Sequence, residues 1–207
     1  MKLWKDFYDF VMPDVPGCAF AAIDSALRQS AVVFCEQSLA WLIDHPPISV
    51  VAGIAEYALT PPEDAVVHAI TFAALNGEEI EAYKGETGIS ARNRRDRTAV
   101  AQYIPGGPGS VILAPKPAAT GALTMIVALK PSPASVGIDD VQFNEYREAI
   151  VHGALLRLML SPKKPYTNAQ LAAYHQQQFA IKTAAAGIRV AKNYTRTPLR
   201  TSIMARR

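Results

Sequence analysis

Ala65-Val66-Val67-His68-Ala69-Ile70-Thr71-Phe72-Ala73-Ala74, followed at once by Leu75-Asn76-Gly77, decides the fold of this 207-residue chain. β-branched and aromatic side chains suit a pleated strand. Asn-Gly accepts the positive φ angles of a two-residue hairpin turn. The pattern predicts a strand over residues 65–74 and a hairpin into residues 79–83. Residues 110–113 and 122–129 are further strand candidates between Pro/Gly-rich turns. Most of the 15 prolines fall in or beside residues 46–137. That density suits short antiparallel strands rather than a parallel βαβ array.

Outside this zone the apolar period lengthens. Trp4, Phe7, Tyr8 and Val11 recur at helical spacing until Pro13, Pro16 and Gly17. Phe20, Ile23, Leu27, Ala31, Phe34, Ser38 and Trp41 then make a stripe at spacings of three and four, which predicts a helix ended by His45-Pro46-Pro47. After residue 137, Asp139 with Gln142 reads as a capping box. Phe143, Tyr146, Ile150, Ala154 and Leu158 form one face, stopped by Pro162 and Pro165. Thr167-Asn-Ala-Gln170 reads as a second capping box, opening an Ala/Gln-rich helix to about residue 192. The expected class is α+β: an α-helical bundle of N- and C-terminal helices with an inserted antiparallel β domain. Its expected parts are helices in 1–45, the β insertion in 46–137, helices in 138–192 and a basic tail in 193–207.

Half of the residues are apolar, but 34 of the 207 are alanine. Residues 121–129 are among the longest near-apolar runs, far short of the roughly 18–20 needed to cross a bilayer. Acids and aromatics interrupt the first residues, so neither a membrane span nor a secretory signal is expected. Cys18 and Cys35 form no paired motif and read as reduced thiols from a reducing compartment. The net charge of +3 hides an asymmetry. Residues 1–148 hold 11 basic and 18 acidic residues, and residues 149–207 hold 10 basic and none acidic. Blocks of this kind mark interaction tails, nucleic-acid surfaces, or one end of a molecule that complements another copy.

Chemistry-bearing motifs are sparse. His45, His68, His152 and His175 share no metal-ligand spacing. No Gly-x-Ser-x-Gly elbow is present. Gly106-Gly107-Pro108-Gly109 lacks the Lys-Ser/Thr of a phosphate loop and reads as a turn. Glu79 and Glu81, on one strand face, are the only candidate carboxylate pair for a small hydrolase, against the plainer reading of a solvated hairpin. Arg92, Arg94, Arg95 and Arg97 are candidate contacts to DNA phosphate or to a neighbouring subunit. No catalytic residue, cofactor or metal is expected.

Three stretches in order resemble a known family. The first is Trp4-x-x-Phe7-Tyr8-x-Phe-Val-x-Pro13-Asp14-Val15-Pro16-Gly17-Cys18 with Ala26-Leu27-Arg28-x-x-Ala31-x-x-Phe34-Cys35-Glu36. The second has Gly77, Gln102-Tyr103 and Val111-Ile-Leu-Ala-Pro115-Lys-Pro117. The third is Tyr146-x-Glu148-Ala-Ile-Val151-x-Gly153-Ala-Leu-x-Arg157-Leu, then Pro162, Tyr166-x-Asn168-x-x-Leu171-Ala-x-x-His175 and Phe179. Together they resemble the head-to-tail adaptor (connector) proteins of tailed bacteriophages, in the version with an inserted β domain.

The resemblance implies a non-enzymatic structural virion protein, made in the host cytoplasm and sited at the capsid vertex. Such adaptors form a ring, typically a dodecamer, that joins the portal protein to a downstream tail or collar protein and extends the DNA channel. It implies that the C-terminal segment reaches the portal, through Tyr194, Arg196, Leu199, Arg200, Ile203, Arg206 and Arg207. Transient non-specific contact with genomic DNA is compatible with that position. The rival readings are a nucleic-acid-binding module using the basic C-terminal region and a small hydrolase.

Overall fold

The computed structural model describes residues 1–83, 102–107 and 109–192. The chain is mixed α+β, with four α-helices and mostly antiparallel strands among these residues. It divides into two compact units: Met1 with Trp41–Ile138, and Lys2–Ala40 with the residues from Asp139 onward.

The second unit is helical. After the short strand β1 (Lys2–Leu3), 3-10 turns at Trp4–Phe7 and Met12–Asp14 flank α1 (Tyr8–Val11). The long helices are α2 (Phe20–Ser38), α3 (Asp140–Met159) and α4 (Ala169–Ala191). Phe7, Ile23, Leu27, Phe34, Ile150, Leu155 and Met159 are fully buried. Burial of each such side chain stabilises by roughly 1.5–3 kcal/mol. Phe7 meets Phe143 edge-on at 4.8 Å, and Phe34 lies 5.1 Å from Tyr146. Gly153 of α3 is buried where a Cβ would meet Ser30 of α2 and come within 2.9 Å of the Phe179 ring of α4.

Three local expectations for the helices need correcting. Helix α2 ends at Ser38, not at His45. The Ser38 hydroxyl donates to Phe34 O and accepts from Ala40 N, and Leu39 turns left-handed at φ 53°. At the start of α3, Asp139 caps Val141 N as expected, but Gln142 does not close the box; its Nε2 donates to Ala40 O. The cap of α4 is Asn168, whose Oδ1 accepts from Gln170 N and Leu171 N. Thr167 instead donates to Ser161 O and accepts from Lys164 N, which ties down the preceding turn.

The other unit holds two four-stranded sheets. The first runs β2 (Leu42–Val50), β9 (Gly121–Pro131), β4 (Ala65–Leu75), β5 (Glu78–Glu79). The second runs β3 (Glu56–Ala58), β8 (Ser110–Ala114), β7 (Gln102–Gly107), β6 (Glu81–Ala82). A last short strand, β10, is Gly137–Ile138. Leu123, Met125, Val127 and Leu129 of β9 alternate inward, the period of a strand with one buried face. Pro46 and Pro47 lie inside β2, where its register against β9 slips between His45 and Ile48. A proline has no N–H to give a ladder, so the irregularity accommodates both.

The Asn76-Gly77 turn forms as expected. Both residues have positive φ, 54° and 85°, and Leu75 faces Glu78 across it. The strand predicted beyond it is broken, because the buried Ile80 divides it. Ile80 N still bonds to Ala73 O in the first sheet, while Glu81 and Ala82 pair with Gln102 and Tyr103 in the second. That second pairing is parallel, so the β region is not wholly antiparallel.

Candidate functional site

The strongest surface feature is the outward face of α4. Ala172, His175, Thr183 and Ala186 point into the helical unit. Tyr174, Ile181 and Ile188, spaced by seven residues on the opposite side, are each more than half exposed. Gln170, Gln177, Ala184 and Ala185 beside them are exposed as well. A solvated helix face normally carries charge, and an exposed apolar stripe marks an interaction surface. The charged residues in α4 are Lys182 and Arg189, with no acid. Lys182 Nζ pairs with Glu148 Oε2 at 2.5 Å, and Arg189 with Glu145 Oε2 at 2.7 Å. Both cations therefore lean back toward α3 and border the stripe. The Lys182 ammonium holds the Glu148 carboxyl below its usual range.

Helices α3 and α4 also bring together two histidines that sequence spacing left apart. His152 Nδ1 and His175 Nδ1 lie 2.8 Å from each other. One ring must donate and the other accept, so the pair does not tolerate two protonated rings. Burial lowers the pKa of His152 first, and the charges of His175 and Lys182 lower it further against the pull of Glu148 and Asp14. Burial also lowers that of His175, opposed by Asp14. Residues 152 and 175 are roughly equidistant from the turn at residues 162–165, as an antiparallel helix pair requires. That symmetry is the sequence signal that could have found them.

The remaining candidates are dispersed. His45 is buried; its Nδ1 bonds to Pro46 O and its Nε2 accepts from Thr60 N, the pattern of a neutral structural histidine. His68 is exposed. Among the described residues no group of three or more His, Cys, Asp or Glu could hold a metal ion. No described helix is long and apolar enough to cross a membrane. Cys18 and Cys35 are free thiols, and burial, then the charge of Glu36, pushes Cys35 up to about 12.

The hydrolase pair is not assembled as expected. Glu79 pairs into the first sheet and Glu81 into the second, with buried Ile80 between them, so they share no strand face. A cleft of about 200 Å3 in the β unit, lined by Val67, His68, Ile70, Tyr103 and Pro105 among others, has no Asp, Glu or Cys among the described residues of its wall.

Tyr194, Arg196, Leu199, Arg200, Ile203, Arg206 and Arg207 lie outside the described residues, as do Arg92, Arg94, Arg95 and Arg97. The C-terminal group follows directly on α4, and the arginine group lies between β6 and β7.

No curated protein matches the chain. A family model described as SU10 adaptor protein matches residues 9–202, a span that includes most of the helical unit and the whole β region. The chain thus belongs to the SU10 adaptor protein family, a family of phage head–tail adaptors.

Proposed function

We propose that this chain is the subunit of a closed ring, typically of twelve copies, that joins the portal at the capsid vertex to the tail and extends the DNA channel. Family membership carries the coarser part, a structural adaptor that is a component of the virion. The single observation behind the finer part is the uncharged, half-exposed outer face of α4, a surface that suits an assembled subunit. The three long helices are read as the bundle that forms the body of the ring.

Residues 193–207 are read as the portal-reaching segment. They carry Arg196, Arg200, Arg206 and Arg207 and no acid, which suits an acidic portal surface. Tethering many modest contacts in one ring gives avidity without a tight single contact. The arginines at 92, 94, 95 and 97 are assigned to contact with a neighbouring subunit or with passing DNA. No enzymatic step is assigned.

Electron microscopy of the protein mixed with its portal tests the reading. A ring of added density on the portal axis is the expected result. A monomer that ignores the portal but binds DNA, with affinity falling steeply as salt rises, would favour the nucleic-acid reading instead.

A further inference from the structure

We infer that the α3–α4 hairpin is a proton-sensitive latch: its His152–His175 rung lets go in mild acid and frees the turn end of the hairpin, while the two ion pairs farther along keep the rest of α4 on α3. The inference is independent of the ring reading.

Three polar contacts cross between the two helices in antiparallel order. His152 meets His175 nearest the turn, Glu148 meets Lys182 next, and Glu145 meets Arg189 farthest out. The histidine rung bears the greatest share at the turn end, because little else is buried there. In the first three turns of α4 the buried residues are Ala172 and His175. Of residues 160–171, all but Ser161 and Tyr166 are exposed. The turn is otherwise tied to itself and to the end of α3, through Asn168 N on Met159 O and Thr167 on Ser161 O. A segment with so few buried apolar contacts opens at lower cost than the body of a fold.

The geometry of the rung limits how many protons it holds. The Nδ1 atoms are 2.8 Å apart and the ring centres 5.1 Å. That separation is the gap plus the short reach from centre to nitrogen in each ring, so the two nitrogens point at each other along nearly one line. One Nδ1 donates its proton and the other accepts with its lone pair. A first added proton goes to the free nitrogen of the donor ring and leaves the bond in place. A second has only the accepting Nδ1 left, and it replaces the bond with two N–H groups and two positive rings face to face. Burial is the largest influence against the charged form of either ring. The charges of His175 and Lys182 add to it at His152; Glu148 and Asp14 there, and Asp14 at His175, act the other way.

The open rings titrate at the ordinary histidine value of about 6.5, so one proton refused by the closed pair favours the open form about thirtyfold at pH 5.0. The ion pairs survive that pH. A glutamate ordinarily titrates at about 4.3, and Lys182 holds Glu148 below its usual range.

Amide hydrogen exchange of the full chain, corrected for the chemical rate at each pH, tests the latch at pH 7.5 and 5.0. Protection over residues 160–172 is expected to fall at least tenfold in acid, and that of residues 143–149 and 182–189 to hold. His175→Gln and His152→Gln remove the refused proton, so each is expected to show the same protection over residues 160–172 at both pH values. Wild-type protection that does not change with pH would overturn the inference. So would a loss spread evenly along α3 and α4, or a loss that persists undiminished in the variants. Should either variant fail to fold, titration of the histidine C2 protons in the wild type decides: two separate steps are expected, and a single step with both rings near the ordinary value would overturn the latch.

Discussion

The Ser30 hydroxyl donates to the main-chain oxygen of Ile150 across 2.7 Å, fastening α2 to α3 from 120 positions away. The bond is possible because the neighbouring turn of α3 carries Gly153. Any side chain there would meet Ser30 on one side and the Phe179 ring on the other. Three helices thus converge on one residue without a side chain.

Gly153→Leu is therefore expected to destabilise by about 1–3 kcal/mol or more through overpacking. Arg94→Ala, which removes one arginine of a charged cluster, is expected to stay within about 0.5 kcal/mol. Thermal unfolding of both variants checks this, and equal midpoints would contradict the convergence of the three helices.

The histidine pair makes stability depend on pH. His152 and His175 both have folded pKa values below their ordinary value, chiefly through burial. The unfolded chain therefore binds more protons than the folded one around pH 6, so stability rises with pH there. The contribution is complete above about 6.5, the ordinary histidine value, and is lost as pH falls below it. The Tm should drop between pH 7.5 and 5.5, and His175→Gln should flatten that drop. An unchanged slope in the variant would show that other groups set it.

The two thiols should differ in reactivity. Cys35 is fully buried in α2 with its thiol pushed up to about 12, and only the thiolate attacks a disulfide reagent. Cys18 is partly exposed. Titration with an aromatic disulfide at pH 8 should release one equivalent from the folded protein and the second only on unfolding. Rapid release of both would contradict the packing of α2.

Removal of residues 193–207 should leave the thermal midpoint within a few degrees, because that segment has no periodic apolar face to pack. Attachment to the portal should be lost. A truncated chain that still joins portal-bearing heads would refute the assignment of the segment.

Much of this architecture was legible in residue spacing. The β4 strand and the Asn76-Gly77 turn follow from β-branched content and from the tolerance of Asn and Gly for positive φ. The buried faces of α2 and α3 follow from apolar residues three and four apart. The end of α2 was not legible, since Trp41 continues the stripe and only the left-handed turn at Leu39 stops the helix. Nor was the parallel pairing of Glu81 and Ala82, which depends on a tertiary choice made at Ile80. At the candidate surface, Ala172 and Ala186 of α4 face inward while Tyr174, Ile181 and Ile188 face out. A stripe on each side of a helix has the same period as one stripe, so spacing alone does not tell which side is covered. The His152–His175 contact needs the α3–α4 hairpin before it can be seen.

The central claim is that this adaptor-family chain joins a portal as a ring. Native mass spectrometry of the purified protein mixed with the portal ring of the same phage tests it most directly. The account predicts one complex with one copy of this chain per portal subunit. Free portal beside unbound monomer, at concentrations where both stay folded, would contradict it.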